Sequence, residues 1–213
     1  MKKLIFILLS FILTISACKK EDETPTLVAP VAIDASDITN ESFTAKWNTS
    51  SGATDYEMDV ATDQDFANIV KALKFLGSSS TVVDGLEGNT EYFYRLRATL
   101  NGGSPSGNSN TINVYTLPDA PVATEATNIT SDGFTSNWDG VDGITNYVLY
   151  ISQDNFTSDP PIYVPGYDGA VVDGTTHSVT GLESGTIYYY AVRANADARV
   201  SVLSNSIVVE TTH

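Results

Sequence analysis

Two histidines, one cysteine and 26 carboxylates are the side chains from which this 213-residue chain can assemble reactive chemistry. Hydrolysis through a nucleophile requires a serine or a thiol beside a general base. His177 stands just before an alternating stretch and His213 is the last residue, so no motif pairs either with a serine. One cysteine and two histidines are too few to build a zinc site. Gly102-Gly103-Ser104-Pro105 has neither the lysine nor the helix that a phosphate loop needs after its glycines. Carboxylate pairs of the glycosidase type are open by number alone. Asp55, Glu57 and Asp59 alternate with Tyr56, Met58 and Val60, which places three acids on one face of a strand, with Asp63 and Asp65 in the following turn. That pattern suits either a calcium site or a solvated face. The corresponding later positions hold Asn146, Val148 and Tyr150, so the solvated face is the better reading. The expectation is therefore no catalytic residue, no metal and no cofactor.

The elements that carry these residues belong to an ordinary globular composition, 42% apolar and 17% charged. A formal charge of −15 argues against nucleic acid or an anionic lipid surface as partner, since both would be repelled. With a single cysteine no disulfide can form within the chain, and any domain must be held by burial alone.

Residues 1–17 have the composition of an export signal. Lys2 and Lys3 precede an apolar run from Leu4 to Ile15, broken only by Ser10 and Thr14, and the small residues Ser16 and Ala17 close it. The run is too short for a typical membrane-spanning helix. Ile15-Ser16-Ala17-Cys18 resembles a bacterial lipobox, and that resemblance implies cleavage before Cys18 and transfer of lipid to its thiol. More than one acyl chain is needed for a stable anchor, and the lipoprotein resemblance implies that they are attached here. Cleavage would remove two lysines and no acid, taking the charge to −17. Residues 18–27 then form a charged, proline-containing tether with a reach on the order of 15 Å. Glu21-Asp22-Glu23 after the cysteine resembles the export signal of Gram-negative lipoproteins displayed on the outer face. The expected location is the outer membrane or cell surface, with the membrane as a partner through lipid on Cys18.

Beyond the tether the chain repeats itself. Ala29-Pro30-Val31 returns as Ala120-Pro121-Val122, and Phe43, Trp47 and Tyr56 return as Phe134, Trp138 and Tyr147. Gly85-Leu86-Glu87-x-x-Thr90-x-Tyr92-x-Tyr94 returns as Gly181-Leu182-Glu183-x-x-Thr186-x-Tyr188-x-Tyr190. Arg97-Ala98, Ser109-Asn110 and Thr116 return as Arg193-Ala194, Ser204-Asn205 and Thr211. The unit is about 90 residues, built from short alternating segments between Gly, Asn and Ser turns, the pattern of a β-sandwich. One stretch departs from it: Phe66, Ile69, Val70 and Leu73 have helical spacing. The second copy follows Phe156 with Pro160-Pro161, which no helix continues, so Ile69 to Phe75 is expected to be an extended edge strand.

An early tryptophan, a leucine before Thr-x-Tyr and a serine-rich turn before the last strand resemble the fibronectin type III pattern, in both copies. The resemblance implies an all-β chain of two tandem immunoglobulin-like sandwiches, at residues 28–117 and 118–213. It places Trp47 and Trp138 in the two cores with Leu86 and Leu182, and makes Tyr92 and Tyr188 the residues whose hydroxyls tie a corner to nearby backbone. An aromatic burying about 200 Å² contributes roughly 5 kcal/mol gross, comparable with the net stability of a small domain.

The clue to a ligand is the difference between copies. The segment from phenylalanine to leucine runs from 66 to 86 in one and from 156 to 182 in the other. The additional length falls at Ile162 to Gly169, a loop or edge that carries Tyr163, Tyr167 and Asp168 among prolines and glycines. Tyrosines on such a segment suit sugar stacking or protein contact, and they equally suit covering a sheet edge. The expected function is that of an envelope-anchored, non-catalytic binding or adhesion module for extracellular glycan or protein. A passive spacer or assembly component is the alternative, and a lipid-anchored hydrolase stands third.

Overall fold

A computed structural model describes residues 27–213, so the expected export signal, Cys18 and the expected tether up to residue 26 lie outside the described residues. Among the described residues every regular element is a strand, and no helix is long and apolar enough to cross a membrane. The first module comprises β1 (Val31–Ser36), β2 (Phe43–Asn48), β3 (Asp55–Ala61), β4 (Ile69–Leu76), β5 (Ser80–Val83), β6 (Glu91–Thr99) and β7 (Ile112–Tyr115). The second comprises β8 (Val122–Thr127), β9 (Gly133–Asp139), β10 (Asn146–Ser152), β11 (Tyr163–Asp173), β12 (Thr176–Thr180), β13 (Ile187–Ala196), β14 (Arg199–Val200) and β15 (Ile207–Glu210). Each module packs a three-stranded sheet, β1-β2-β5 or β8-β9-β12, against a larger one, β4-β3-β6-β7 or β11-β10-β13 with β14 and β15 both on β13.

Alternation explains which residues fill the space between sheets. In β2, Phe43, Ala45 and Trp47 point inward, and in β6, Tyr92, Tyr94, Leu96 and Ala98 do so. Trp47 is 2% exposed and Trp138 3%, each tilted against a tyrosine 5.5 Å away, Tyr56 in one module and Tyr147 in the other. Phe43 stacks on Tyr94 and Phe134 on Tyr190 in the same manner. Both indole nitrogens are buried without a hydrogen-bond partner, so the tryptophans stabilise by area and packing.

The repeated polar residues close the sandwiches. Tyr92 Oη accepts the Glu87 amide at 2.9 Å, and Tyr188 Oη accepts the Glu183 amide at 3.0 Å. Asn110 grips β1 through both backbone groups of Ala32, and Asn205 does the same to Ala123 in β8. Thr116 and Thr211 accept the amides of Thr90 and Thr186 and donate to the carbonyls of Glu87 and Glu183. Each of these side chains meets a backbone group on an edge strand or in a turn, where the sheet ladder offers no partner.

The helical spacing around Phe66 makes no helix. Ile69–Leu76 pairs with β3 as an edge strand. One expectation changes in detail: His177 lies within β12 rather than before it. Of the two readings of the tyrosine-bearing stretch, loop or edge, the edge holds, since Tyr163 to Gly169 belong to the edge strand β11. At the junction, Asn40 Nδ2 donates to Asp119 Oδ1 at 2.8 Å, and Arg199 donates from Nη1 to the Thr116 carbonyl at 3.2 Å. The Arg199 guanidinium also lies 4.4 Å from the centre of the Tyr115 ring.

Candidate functional site

The outward faces of the two larger sheets are where the copies diverge. On the first, antiparallel register sets Glu57 opposite Arg97 and Asp59 opposite Arg95. Glu57 Oε1 lies 2.6 Å from Lys74 Nζ, and Glu57 Oε2 accepts from Arg97 Nε at 2.9 Å. Asp59 Oδ2 is 3.0 Å from Arg97 Nη1 and 3.5 Å from Arg95 Nε. Arg95 in turn covers the Phe66 ring at 3.9 Å. Opposite charges directly across a strand pair attract most strongly when partly shielded from water. The Lys74 ammonium, and after it the Arg97 guanidinium, hold the Glu57 carboxyl below its ordinary range, and Glu57 raises the pKa of Arg97 in return.

This corrects the expectation of a simply solvated acidic face. Asp59 is 6% exposed, enclosed by two arginines that the alternation of β3 alone does not reveal. Its charges are compensated internally, and among the described residues no group of three or more His, Cys, Asp or Glu side chains is arranged to hold a metal ion.

On the second module the same lattice carries different chemistry. Val148 faces Arg193 where Glu57 faces Arg97, and Tyr150 faces Ala191 where Asp59 faces Arg95. Tyr150 and Tyr163 are half-buried with ring centres 5.8 Å apart and planes inclined by 40°, and Phe156 lies 6.3 Å beyond Tyr163. Arg193 flanks Tyr150 on the other side, 5.8 Å from its ring centre. Val171 and Val208 extend the apolar surface at 65% and 62% exposure.

Two local devices present this strip. Between Tyr150 and Ser152 on β10 the ladder partners on β11 move from Asp168 to Tyr163, and Gly169 is squeezed out as a bulge between Asp168 and Ala170. Gly169 has φ +128°, a conformation that L side chains rarely adopt, and a Cβ there would sit 3.6 Å from the Tyr150 ring. At the other end Asp154 accepts the amides of Phe156 and Ser158 and a short hydrogen bond from Ser152 Oγ. The Ser152 hydroxyl, with Ser158 second, pushes its carboxyl well below the usual carboxylate range.

Of the three residues singled out by sequence, Tyr163 and exposed Asp168 share the outward face, opposite Ser152 and Tyr150. Tyr167 does not join them: it packs against the core and meets His177 edge-on at 6.0 Å. The residue that sequence reasoning passed over is Tyr150, which joins Tyr163 to Arg193. Its signal was the departure of the second copy from acid at Asp59, a position already compared. One surface cleft of 210 Å³ beside Phe75 and Leu76 falls below the roughly 300 Å³ at which ligand pockets begin, and one of 400 Å³, lined by Gly88, Asp119 and Asp142, is an open recess that holds none of the aromatic rings described above.

No family model matches the chain. It is 28% identical to chicken tenascin over 180 residues, covering 82% of this chain and 10% of that protein. It is 29% identical to chitinase A1 of Niallia circulans over 191 residues, covering 82% of this chain and 24% of that protein. The chain thus spans about a tenth and about a quarter of these relatives. The solved two-domain fibronectin type III segment of chicken tenascin aligns with a TM-score of 0.50 at 21% identity, over 85% of this chain and 99% of that one. The fold is therefore two fibronectin type III sandwiches in tandem.

Proposed function

We propose that this pair of fibronectin type III sandwiches is a lipid-anchored, non-catalytic glycan-binding module of the cell envelope. In this reading the second sandwich reads the ligand and the first holds it away from the membrane. The observation that carries the proposal is the replacement of an internally neutralised ion ladder by half-buried aromatic rings at matching positions. An ion ladder satisfies itself, whereas tyrosine rings left open to solvent present flat apolar area at low entropy cost. Likeness to part of a protein named chitinase is in keeping with a polysaccharide setting. Cys18, following the apolar run and the small residues, supplies the attachment point on the outer membrane or cell surface.

The test is the full chain in detergent micelles, applied to glycan and protein arrays. Signal is expected on glycans, lost with Tyr150→Ala or Tyr163→Ala and kept with Val82→Ala, an exposed residue on the opposite sheet of the first module. Absence of signal on both arrays would return the chain to the spacer reading, which the Arg199 clasp at the junction favours. Radiolabelled palmitate should enter the wild-type chain and not Cys18→Ala. Equal labelling of both would remove the anchor.

A further inference from the structure

Arg97 and Arg193 occupy matching positions on β6 and β13, and only the first has a carboxylate to answer it. Arg97 meets Glu57 and Asp59, whereas the residues at those places in the second module are Val148 and Tyr150. What remains for Arg193 is one hydrogen bond from Nη1 to the Ser201 carbonyl at 3.3 Å. Its Nε is buried without a partner, and among the described residues it forms no ion pair. A guanidinium is a rigid fork suited to a carboxylate, and beside apolar rings that attraction is less weakened by water. We infer that Arg193 reads a carboxylate on the ligand, and that the glycan taken by this face is a uronic-acid-containing polysaccharide.

The inference rests on the glycan-binding reading and narrows it. Arg193 and Tyr163 flank Tyr150, each 5.8 Å from its ring, so a sugar stacked on Tyr150 lies next to the unanswered cation. Asp168, exposed and opposite Tyr150 in register, is placed to accept hydrogen bonds from sugar hydroxyls. An acidic peptide fits less well, because adding a strand to β11 meets Pro165, which has no amide hydrogen, and two breaks in register. The chain's charge of −15 opposes a densely charged polyanion, and screening confines attraction to short range. The fitting ligand carries isolated carboxylates among neutral sugars.

The experiment is calorimetric titration of the full chain in detergent with a hexuronate-containing oligosaccharide and with the same oligosaccharide after carboxyl reduction. The acidic form is expected to bind about tenfold more tightly, the scale of a hydrogen bond to a charged group. Arg193→Gln should erase that ratio while leaving the weaker affinity for the neutral form, and Arg193→Lys should restore part of it. Val148→Glu, which recreates the internal partner found in the first module, should also erase it with both rings intact. Thermal unfolding of each variant separates loss of preference from loss of fold. Equal affinity of wild type for the two forms would overturn the role of Arg193 and leave glycan binding standing. No binding of either form would overturn the glycan reading beneath it.

Discussion

Between the sheets the two modules are almost the same molecule, and on the outward faces they are not. Trp47 and Trp138, their tyrosine partners, the hydroxyls at the corner and the asparagines gripping the first strands recur with matching geometry. Outside, Glu57, Asp59 and Arg95 become Val148, Tyr150 and Ala191 on an unchanged strand lattice. Core packing admits few substitutions, because small changes of volume are felt at once. An outward position on a central strand is constrained only by its cross-strand neighbours, so it is free to change use once they change together. That separation predicts symmetric responses to core substitutions and asymmetric responses on the faces.

The largest effect should come from the indoles. Trp47→Ala or Trp138→Ala removes a fully buried aromatic and should cost its own module about 3–5 kcal/mol, enough to unfold it. Scanning calorimetry should show one transition lost and the other kept, whichever module is altered. If loss of one tryptophan abolished both transitions, the modules would not be separable cores.

The next effect should break the symmetry. Arg97→Ala strands Asp59, almost buried, with only the more distant Arg95, and should destabilise the first module by about 2 kcal/mol. Arg193→Ala abandons no carboxylate and should cost within about 0.5 kcal/mol. Chemical denaturation of the two variants measures both, and equal losses would mean that the first face is no more self-satisfied than the second.

Symmetry should return at the corner, on a smaller scale. Tyr92→Phe and Tyr188→Phe each leave one backbone amide, of Glu87 or Glu183, without its acceptor, at about 1 kcal/mol apiece. Unequal losses there would show that the two corners are not equivalent.

These contrasts also explain what the amino-acid order disclosed. The repeat, the two sandwiches, the buried tryptophans and the tyrosine corners are encoded by residue type at fixed spacing, and proline in one copy decided against a helix in the other. The aromatic face proposed to meet a ligand was only half legible. Tyr163 and Tyr167, four residues apart, would share a face on a regular strand. The step from Tyr150 to Ser152 on β10 is instead matched by the longer step from Asp168 to Tyr163 on β11, which turns Tyr167 inward. Alternation carries no record of such an irregularity, so parity was lost between Tyr163 and Asp168. Asp59 was misjudged for a related reason: its exposure depends on Arg95 and Arg97, which lie on a strand distant in sequence.

The smallest effect distinguishes the faces by titration. The Glu57 carboxyl is held below its ordinary range by Lys74 and then Arg97, so its folded pKa is lower than the unfolded value of about 4.5. For a depressed acid, the stabilisation is full above the unfolded value and disappears as pH falls through the folded one. Lowering pH from about 6 to about 3 should therefore shrink the stability difference between wild type and Glu57→Gln by tenths of a kcal/mol, because the pair is partly open to solvent. Val148 stands at the matching position and has no proton to gain. A chain keeping Trp47 with Trp138→Phe reports on the first module by fluorescence, and Trp47→Phe with Trp138 kept reports on the second. The pH-dependent difference should be confined to the first reporter, and its appearance in the second would mean that acid acts through the junction rather than through the ion ladder.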